Sequence, residues 1–220
     1  MGKRGPKPEG KVSTEWSADF AYAIGLITSD GCLSPSGRHI IFVSKDEEQL
    51  QNFTNALNIE VNTTFSYPRA NKIRRIQFGD VLFYRFLLSI GLMPNKSKVL
   101  GAIAIPEDIF FDFLRGVFDG DGSIHSYMDK RWRSSYMFYT IFSSASPDFI
   151  LWLQETIEYH LHIKGHVTSA KGKSTLQLKY AKKESLLLLK KMYSNKKGIY
   201  LKRKRLKIDK ILSIVGECLS

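Results

Sequence analysis

The hydrophobic pattern of this 220-residue chain repeats itself at long range. Leu50, Phe53 and Leu57 have the i, i+3, i+7 spacing of one helix face. The same spacing returns 100 residues later, in the apolar residues Ile150, Leu153 and Ile157. The pattern therefore predicts two equivalent amphipathic helices.

Each predicted helix is followed by a segment in which apolar and polar residues alternate, at residues 73–78 and 175–180. This alternation is typical of a β-strand with one buried face. A capping box over residues 44–47 starts the first helix, and Ser146 followed by Pro147 starts the second. Each half of the chain is therefore predicted to fold as helix, hairpin, helix, hairpin, helix.

Two such halves predict an α/β fold of the α+β kind, built as a pseudo-symmetric duplex. We expect a flexible basic arm at residues 1–12, a first half at 13–104 and a second half at 105–220. The arm combines lysine and arginine with glycine and proline. Two interpretations of it stay open: an arm for the DNA minor groove, or a disordered solubilising terminus.

Two further segments, residues 20–31 and 113–122, match each other at a spacing of 91 residues. Gly25 corresponds to Gly116 within them. Glycine inside a helix costs about 1 kcal/mol relative to alanine, so we expect these glycines to serve close packing. With Ala21 one turn earlier, they would let the two helices pack directly against each other.

Asp30 and Asp121 end these two helices, again 91 residues apart. If the helices pack together, both carboxylates lie near helix C-termini, where the backbone dipoles are also negative. A hard divalent cation, above all Mg²⁺, would relieve the repulsion. For one copy alone, an Asp-Gly turn after a core helix is the simpler interpretation. Two matched copies favour the metal site.

The charge of the chain indicates a polyanionic partner. Lys and Arg number 33 against 21 Asp and Glu, which makes the net charge +12 and favours nucleic acid. The two cysteines form no metal-binding pair, and no segment resembles a secretory signal or a membrane span. We expect no membrane partner and an intracellular location, in the cytoplasm or nucleoid of a prokaryote or in an organelle matrix.

The two matched segments that end in Asp30 and Asp121 resemble the motif of the LAGLIDADG family of homing endonucleases. The segments AIGLITSDG (23–31) and LRGVFDGDG (114–122) correspond twice to the nine-letter motif. The resemblance implies two αββαββα halves, motif helices packed at their interface, and hairpins that form antiparallel, saddle-shaped sheets on DNA. Thr28 stands where the motif has its first Asp. That sixth position is not the metal-binding acid, so the departure does not put activity in doubt.

The resemblance also implies a metal site and an activity. The eighth motif position, Asp30 and Asp121 here, is the metal-binding acid, and the backbone carbonyls of Ser29 and Gly120 are candidate further ligands. Mg²⁺ is the expected cofactor, Mn²⁺ is expected to substitute, and Ca²⁺ is expected to bind without supporting cleavage. Two motifs in one chain imply a monomer without an obligate protein partner, which makes a double-strand break in a long, non-palindromic DNA target.

The expected function is thus that of an intron- or intein-associated DNA endonuclease that hydrolyses phosphodiesters. The alternative is an RNA maturase that binds its host intron RNA, or a non-cleaving nucleic-acid-binding protein of the same fold. Neither alternative needs both acids. The presence of Asp30 and Asp121 therefore favours the nuclease.

Basic residues near the acids are candidates for assisting hydrolysis. In the family a Gln or Lys ends the first hairpin. This position falls on Lys45, whereas the second half has Ala145, an asymmetry that predicts slower cleavage of one strand. A second basic position follows the third helix and matches Lys96 and Lys204, for which simple phosphate contact is the competing role. The alternatives to Lys204 are Lys202 and Arg203.

Sequence recognition is expected from exposed side chains of the hairpins. The candidates in the first half are Arg38, His39, Tyr67, Arg69, Lys72, Arg75 and Gln77. Those in the second half are Tyr127, Lys130, Arg131, Arg133, Tyr139, Lys171, Lys173, Gln177 and Lys179.

The basic run at residues 190–207 is expected to bind the phosphate backbone rather than form only a solvated helix face. His160, His162 and His166 lack a second ligand pair, so we expect a structural or surface role for them rather than zinc binding.

Overall fold

A computed structural model describes residues 10–65, 73–129, 135–169 and 174–219. The first half contains the predicted succession of helices and hairpins. Its elements are α1 (Ala18–Asp30), β1 (Gly31–Leu33), β2 (His39–Ser44), α2 (Glu47–Leu57), β3 (Thr63–Phe65), β4 (Arg74–Gly79) and α3 (Val81–Ser89).

The second half repeats this order and adds one helix. Its elements are α4 (Phe110–Asp121), β5 (Ser123–Met128), β6 (Tyr136–Ser144), α5 (Pro147–Leu161), β7 (His166–Ser169), β8 (Leu176–Tyr180), α6 (Lys182–Met192) and α7 (Lys202–Ile214). The added helix α7 was not predicted. Two short 3-10 helices, Lys96–Lys98 and Glu107–Ile109, lie between α3 and α4.

The starts of the two equivalent helices differ from each other. Ser146 occupies the N-cap position of α5 with Pro147 in the first turn, as predicted. The capping box at Ser44 is wrong: the N-cap of α2 is Asp46, whose carboxylate accepts a 3.1 Å hydrogen bond from the N–H of Glu48. Ser44 still belongs to β2, and its hydroxyl donates to Gln49 over 2.7 Å. Serine and aspartate are about equally good N-caps, and the helix begins after Asp46 because β2 continues through Ser44.

The strands form two four-stranded antiparallel sheets with the same topology. Their strand orders are β1-β2-β4-β3 and β5-β6-β8-β7. The registers correspond as well, since Phe42 pairs with Ile76 in the first sheet and Phe142 pairs with Leu178 in the second. All four side chains are buried on the inner face of their sheet. The α+β duplex predicted from the repeat is confirmed.

The two glycine-containing helices pack backbone against backbone at the centre of the molecule. A β-carbon on Gly25 would lie 2.9 Å from the α-carbon of Gly116 and would overlap the carbonyl oxygen of Phe113. A β-carbon on Gly116 would overlap the carbonyl oxygen of Tyr22 in the same way. Every residue of α1 from Phe20 to Thr28 is buried, because the helix lies between the two halves. Only glycine allows this approach.

The end of the expected basic arm is anchored to the first half. Residues 1–9 lie outside the described residues, but the backbone N–H groups of Lys11 and Val12 donate to Asp80 Oδ2 over 2.6 and 3.1 Å. Val12 is buried, and Asp80 also caps α3. No helix in the described part of the chain has the length and apolarity needed to cross a membrane.

Candidate active site

Two carboxylates lie at the adjoining C-terminal ends of the central helices. Asp30 is the last residue of α1, and Asp121 is the last residue of α4. A β-carbon on Gly120 would lie 3.0 Å from Oδ2 of Asp30, so the end of α4 is in contact with the Asp30 carboxylate. The close approach of the helices at their glycines therefore brings both acids into one site.

Burial and repulsion disfavour ionisation of these carboxylates. Burial, followed by the charge of Asp121, raises the pKa of Asp30 to about 6. Desolvation within the site also raises the pKa of Asp121, which is an exposed residue, and the charges of Lys96 and Lys204 oppose the shift. Neither acid forms an ion pair with any described residue. The site therefore carries negative charge that the described side chains leave unpaired.

A glutamine of α2 orients one of the two acids. Gln49 is buried, and its side-chain amide donates to Asp30 Oδ2 over 3.1 Å and to the carbonyl oxygen of Asp119 over 3.3 Å. Gln49 was not among the site residues predicted from the sequence. The available signal was its place in the repeat, because Gln49 stands in a buried position that Phe149 occupies 100 residues later. A buried amide in place of an apolar side chain needs partners, and here they are the acid and a helix end.

Two lysines bind the carbonyl oxygens at the ends of the helices. Lys96 Nζ donates to the carbonyl of Gly31 over 2.5 Å. Lys204 Nζ donates to the carbonyls of Gly120 and Gly122 over 3.0 and 2.7 Å. Gly31 and Gly122 are equivalent positions of the repeat, so the two lysines are equivalent as well. Burial lowers the pKa of Lys96, and it lowers the pKa of Lys204 to about 8.

The structure separates the three basic residues among which the sequence left a choice. Lys204 points to the end of α4, whereas Arg203 forms a 2.7 Å ion pair with Asp46 and the backbone N–H of Lys202 donates to Glu48 over 3.3 Å. These contacts tie α7 to the start of α2 in the other half. Part of the basic run at residues 190–207 is thus engaged within the protein.

A buried aspartate fixes the start of α7 and with it Lys204. Asp119 Oδ2 accepts 2.8 Å hydrogen bonds from the hydroxyl of Tyr22 and from the backbone N–H of Leu201, the N-cap residue of α7. Burial raises the pKa of Asp119 to about 6. Arg115, also buried, donates to the carbonyls of Met192 and Ile199 on the segment that leads to α7. Asp119 is the sixth residue of the second motif, for which no role was predicted from the sequence.

The outer faces of the sheets carry several of the predicted recognition residues. Their neighbours in the strands, such as Ile76, Phe138 and Leu178, are buried, so the intervening side chains lie on the opposite face. The described candidates on these faces are Arg75, Gln77, Tyr127, Tyr139, Gln177 and Lys179. Arg38 is exposed in the turn before β2, and His39 begins that strand.

The remaining recognition candidates fall outside the part of the chain that the structure describes. They are Tyr67, Arg69, Lys72, Lys130, Arg131, Arg133, Lys171 and Lys173.

Two of the histidines contact aromatic rings. The ring of His160 stacks on Phe110, with centroids 5.4 Å apart, and the ring of His166 lies beside Tyr139 on the second sheet, with centroids 6.3 Å apart. His125 and His166 therefore extend the aromatic surface around Tyr127 and Tyr139, and neither was among the predicted recognition residues.

Paired glycine-containing helices, two sheets of matching topology and an acid at each helix end define a protein of the LAGLIDADG fold. This fold is found in the homing endonuclease I-AabMI bound to uncleaved DNA, with a TM-score of 0.62 and 11% identity over 90% of each chain. The structure of I-LtrWI bound to its target DNA has a TM-score of 0.58 and 12% identity, again over 90% of each chain. The N-terminal LAGLIDADG domain of DUF199/WhiA has a TM-score of 0.55 and 17% identity over 89% of this chain and 88% of that domain. No protein-family model and no curated protein matches the sequence.

Proposed function

We propose that this protein is a site-specific, metal-dependent endonuclease that acts as a monomer on a long, non-palindromic DNA target, in association with an intron or intein. The observation that carries the proposal is the pair of acids, Asp30 and Asp121, which lie at adjoining helix ends without an ion-pair partner among the described residues. The DNA complexes of I-AabMI and I-LtrWI support DNA as the partner of this fold.

The donor set fits Mg²⁺. Asp30 and Asp121 supply two hard oxygen ligands. Burial raises the pKa of both acids despite the nearby amines of Lys96 and Lys204, so a bound cation would favour their ionised form. The backbone carbonyls of Ser29 and Gly120 are the proposed further ligands, and Gly120 would bind through the lone pair that Lys204 Nζ leaves free. A bound Mg²⁺ would lower the pKa of a coordinated water and stabilise charge on the phosphate. Mn²⁺ should substitute, whereas Ca²⁺ should bind without supporting cleavage.

Lys96 and Lys204 would stabilise negative charge on the scissile phosphate. Lys96 and Lys204 place their amines at the helix ends, close enough to the acids that each amine lowers the pKa of Asp30 and Asp121. A positive amine there would stabilise the charge that develops on the phosphate. The three N–H groups of Lys204 Nζ already donate to the carbonyls of Phe118, Gly120 and Gly122, so its proposed contribution is positive charge rather than a proton. Contact with an uncut phosphate is the competing role of both residues.

The outer faces of the two sheets would hold the DNA. A two-stranded β-ribbon fits the major groove, where Arg and Lys read guanine and Gln reads adenine. Arg75 and Gln77 occupy this face in the first half, and Gln177 and Lys179 occupy it in the second. Because the two sets differ, the halves would read different sequences, which suits a non-palindromic target.

Cleavage of a randomised plasmid library in Mg²⁺, followed by sequencing of the linear products, tests the function. We expect one long sequence to be enriched, and no linear product in excess EDTA. Asp30→Asn should abolish cutting, whereas the exposed Asp108→Asn serves as the matched control. Failure to cut any library member, or cleavage undiminished in EDTA, would contradict the proposal.

A non-cleaving nucleic-acid-binding protein is the second candidate. The similarity of the WhiA domain, which has the same fold, favours it, and an RNA maturase would need the same basic surface. Retention of target DNA or of a structured intron RNA on a filter, with no cleavage in Mg²⁺ or Mn²⁺, would support this candidate.

A further inference from the structure

A groove opens at the end of α4 that is remote from the acids. Its lining includes Phe110, the first residue of α4, whereas Asp121 is the last residue of that helix. At about 1.5 Å per residue, α4 separates the two residues by about 16 Å. The cavities that hold Asp30 with Lys45, and Asp121 with Ala145, therefore belong to a different site.

One wall of the groove is a stripe of α5, and the other is the connection between the two halves. Trp152, Glu155 and Tyr159 have the i, i+3, i+7 spacing of one helix face, and all three line the groove. Residues 103–105 and 107 of the connection also line it. The cavity volume of about 350 Å³ is at the lower end of the range for ligand sites, so the groove suits one or two side chains.

The apolar part of the lining is largely aromatic. The ring of Phe110 lies edge to face against Trp152, with centroids 6.1 Å apart, and it stacks on His160, with centroids 5.4 Å apart. The ring of Tyr159 lies edge to face against His160, with centroids 5.1 Å apart, and 68% of Tyr159 is exposed. The four rings thus form one continuous surface that reaches solvent. Aromatic faces attract cations through their quadrupole.

The charged part of the lining is acidic. Glu107 and Glu155 are exposed, and neither forms an ion pair with another described residue. No lysine or arginine is among the described residues that line the groove. Because the whole chain carries a net charge of +12, this groove is a local reversal of the charge of the protein. Carboxylates beside aromatic rings are suited to an ammonium or guanidinium group.

The fold does not require this combination of side chains. At the equivalent positions of the first half, 100 residues earlier, the chain has Asn52, Asn55 and Ile59. The amide of Asn52 donates to the carbonyl of Tyr200 over 2.9 Å, so the segment before α7 contacts that face of the first half. A less aromatic and uncharged stripe therefore serves the same place in the duplex. The side chains of the groove are not explained by packing alone.

We propose that this groove binds an arginine-containing, basic segment of a partner protein. The guanidinium would lie on an aromatic face and donate hydrogen bonds to Glu107 or Glu155. Arginine suits the groove better than lysine because its planar group stacks on aromatic rings and donates to both oxygens of a carboxylate. The inference does not depend on the proposed function. Since the groove and the acids lie at opposite ends of α4, a partner bound here would leave the acids open.

The test measures binding of a fluorescein-labelled peptide of Arg-Gly repeats to the full chain by fluorescence anisotropy. The chain is first freed of nucleic acid, which would itself bind the peptide. The reference peptide has citrulline in place of each arginine, which keeps the shape of the side chain and removes its charge. We expect the arginine peptide to bind about 10-fold more tightly, with an affinity that falls as salt is added. Equal binding of the two peptides, or no binding of the arginine peptide, would overturn the proposal.

Variants locate the bound peptide. Glu107→Gln combined with Glu155→Gln should weaken its binding about 10-fold, and Tyr159→Ala should weaken it about threefold. The matched control combines Glu15→Gln with Glu60→Gln, which removes the same charge from exposed positions of the first half. All of these side chains are exposed, so the melting temperature should stay within about 2 °C of the wild type.

Two further outcomes would contradict the proposal. An equal loss of affinity in the control pair and in the groove pair would show that the peptide responds only to net charge. Self-association of the wild type that disappears in the groove pair, measured by analytical ultracentrifugation, would make a second copy of this chain the occupant instead of a different protein. A loss confined to the groove variants, in a chain that stays monomeric, would support the proposal.

Discussion

The carboxylate of Asp119 accepts a 2.8 Å hydrogen bond from the backbone N–H of Leu201, 82 residues further along the chain. The same oxygen accepts from the hydroxyl of Tyr22 in the other half. This buried acid thus joins α1, α4 and the start of α7, and it places Lys204 within reach of the α4 carbonyls. A residue without access to solvent thereby positions a residue of the site.

Asp119→Ala should lower stability and slow cleavage together. The change leaves two buried donors without an acceptor, which costs about 1–3 kcal/mol for each donor, although removal of a buried charge offsets part of it. A net loss of about 2 kcal/mol lowers the melting temperature by about 4–8 °C in a chain of this size. Scanning calorimetry and cleavage rates would measure both effects, with the exposed Asp108→Ala as control. An unchanged melting temperature would show that this network does not hold α7.

Alanine at Gly25 or at Gly116 should destabilise the protein, whereas alanine at Gly101 should not. A β-carbon at either helix position overlaps the backbone of the facing helix, but one at Gly101 has no atom within 4 Å. Overpacking of this kind costs about 1–3 kcal/mol, and a shift of about 1 Å in the acids can cost about 100-fold in rate.

Melting temperatures and cleavage rates of these three glycine variants would check the prediction. We expect losses of both quantities at Gly25 and Gly116 and neither loss at Gly101. Equal tolerance of alanine at all three glycines would be incompatible with the backbone contact described above.

Asp30→Asn should raise the stability of the metal-free protein at pH 8 while it removes activity. The folded pKa of Asp30, about 6, lies above its unfolded value near 3.9. The destabilising contribution is therefore absent below the unfolded pKa, grows as pH rises, and is fully present above the folded pKa. After solvent screening we expect a gain of about 1 kcal/mol, or about 2–4 °C.

A Mg²⁺ titration shows whether the added stability of Asp30→Asn comes from loss of the repulsion between the acids or from a general stabilising effect. Mg²⁺ should raise the melting temperature of the wild type and have little effect on Asp30→Asn. Binding of uncut DNA in Ca²⁺ should survive the substitution. A lower melting temperature of the variant at pH 8 in EDTA would argue against a strained pair of acids.

Cation binding should weaken as the pH falls through 6. At pH 5.5 most Asp30 carboxyls carry a proton, whereas at pH 7.5 nearly all are ionised, because the pKa is about 6. A cation has to displace that proton, so Ca²⁺ affinity should fall about fourfold or more between pH 7.5 and 5.5. Calorimetric titration in buffers of different ionisation enthalpy would detect the released proton. Equal affinity and no proton release at both pH values would contradict this site.

Much of the fold follows from local pattern. The spacing of Leu50, Phe53 and Leu57 predicted α2, and the alternation at residues 73–78 predicted β4, because burial of one face imposes a period on the chain. The glycine spacing likewise predicted that α1 and α4 pack at Gly25 and Gly116. The cap of α2 was misplaced because Ser44 and Asp46 are both acceptable caps, and only the path of β2 decides between them.

The sequence by itself determined the two halves, the packed helices and an acid at the end of each. Periodicity depends on residues close together in the chain, and the repeat is visible when the chain is compared with itself. Only the tertiary structure decided that Lys204 rather than Arg203 reaches α4, and that Gln49 supports Asp30. These contacts join elements that lie far apart in sequence. Which side chains meet there depends on the rotation and position of α2 and α7 relative to the central helices, and packing of the whole molecule sets these quantities.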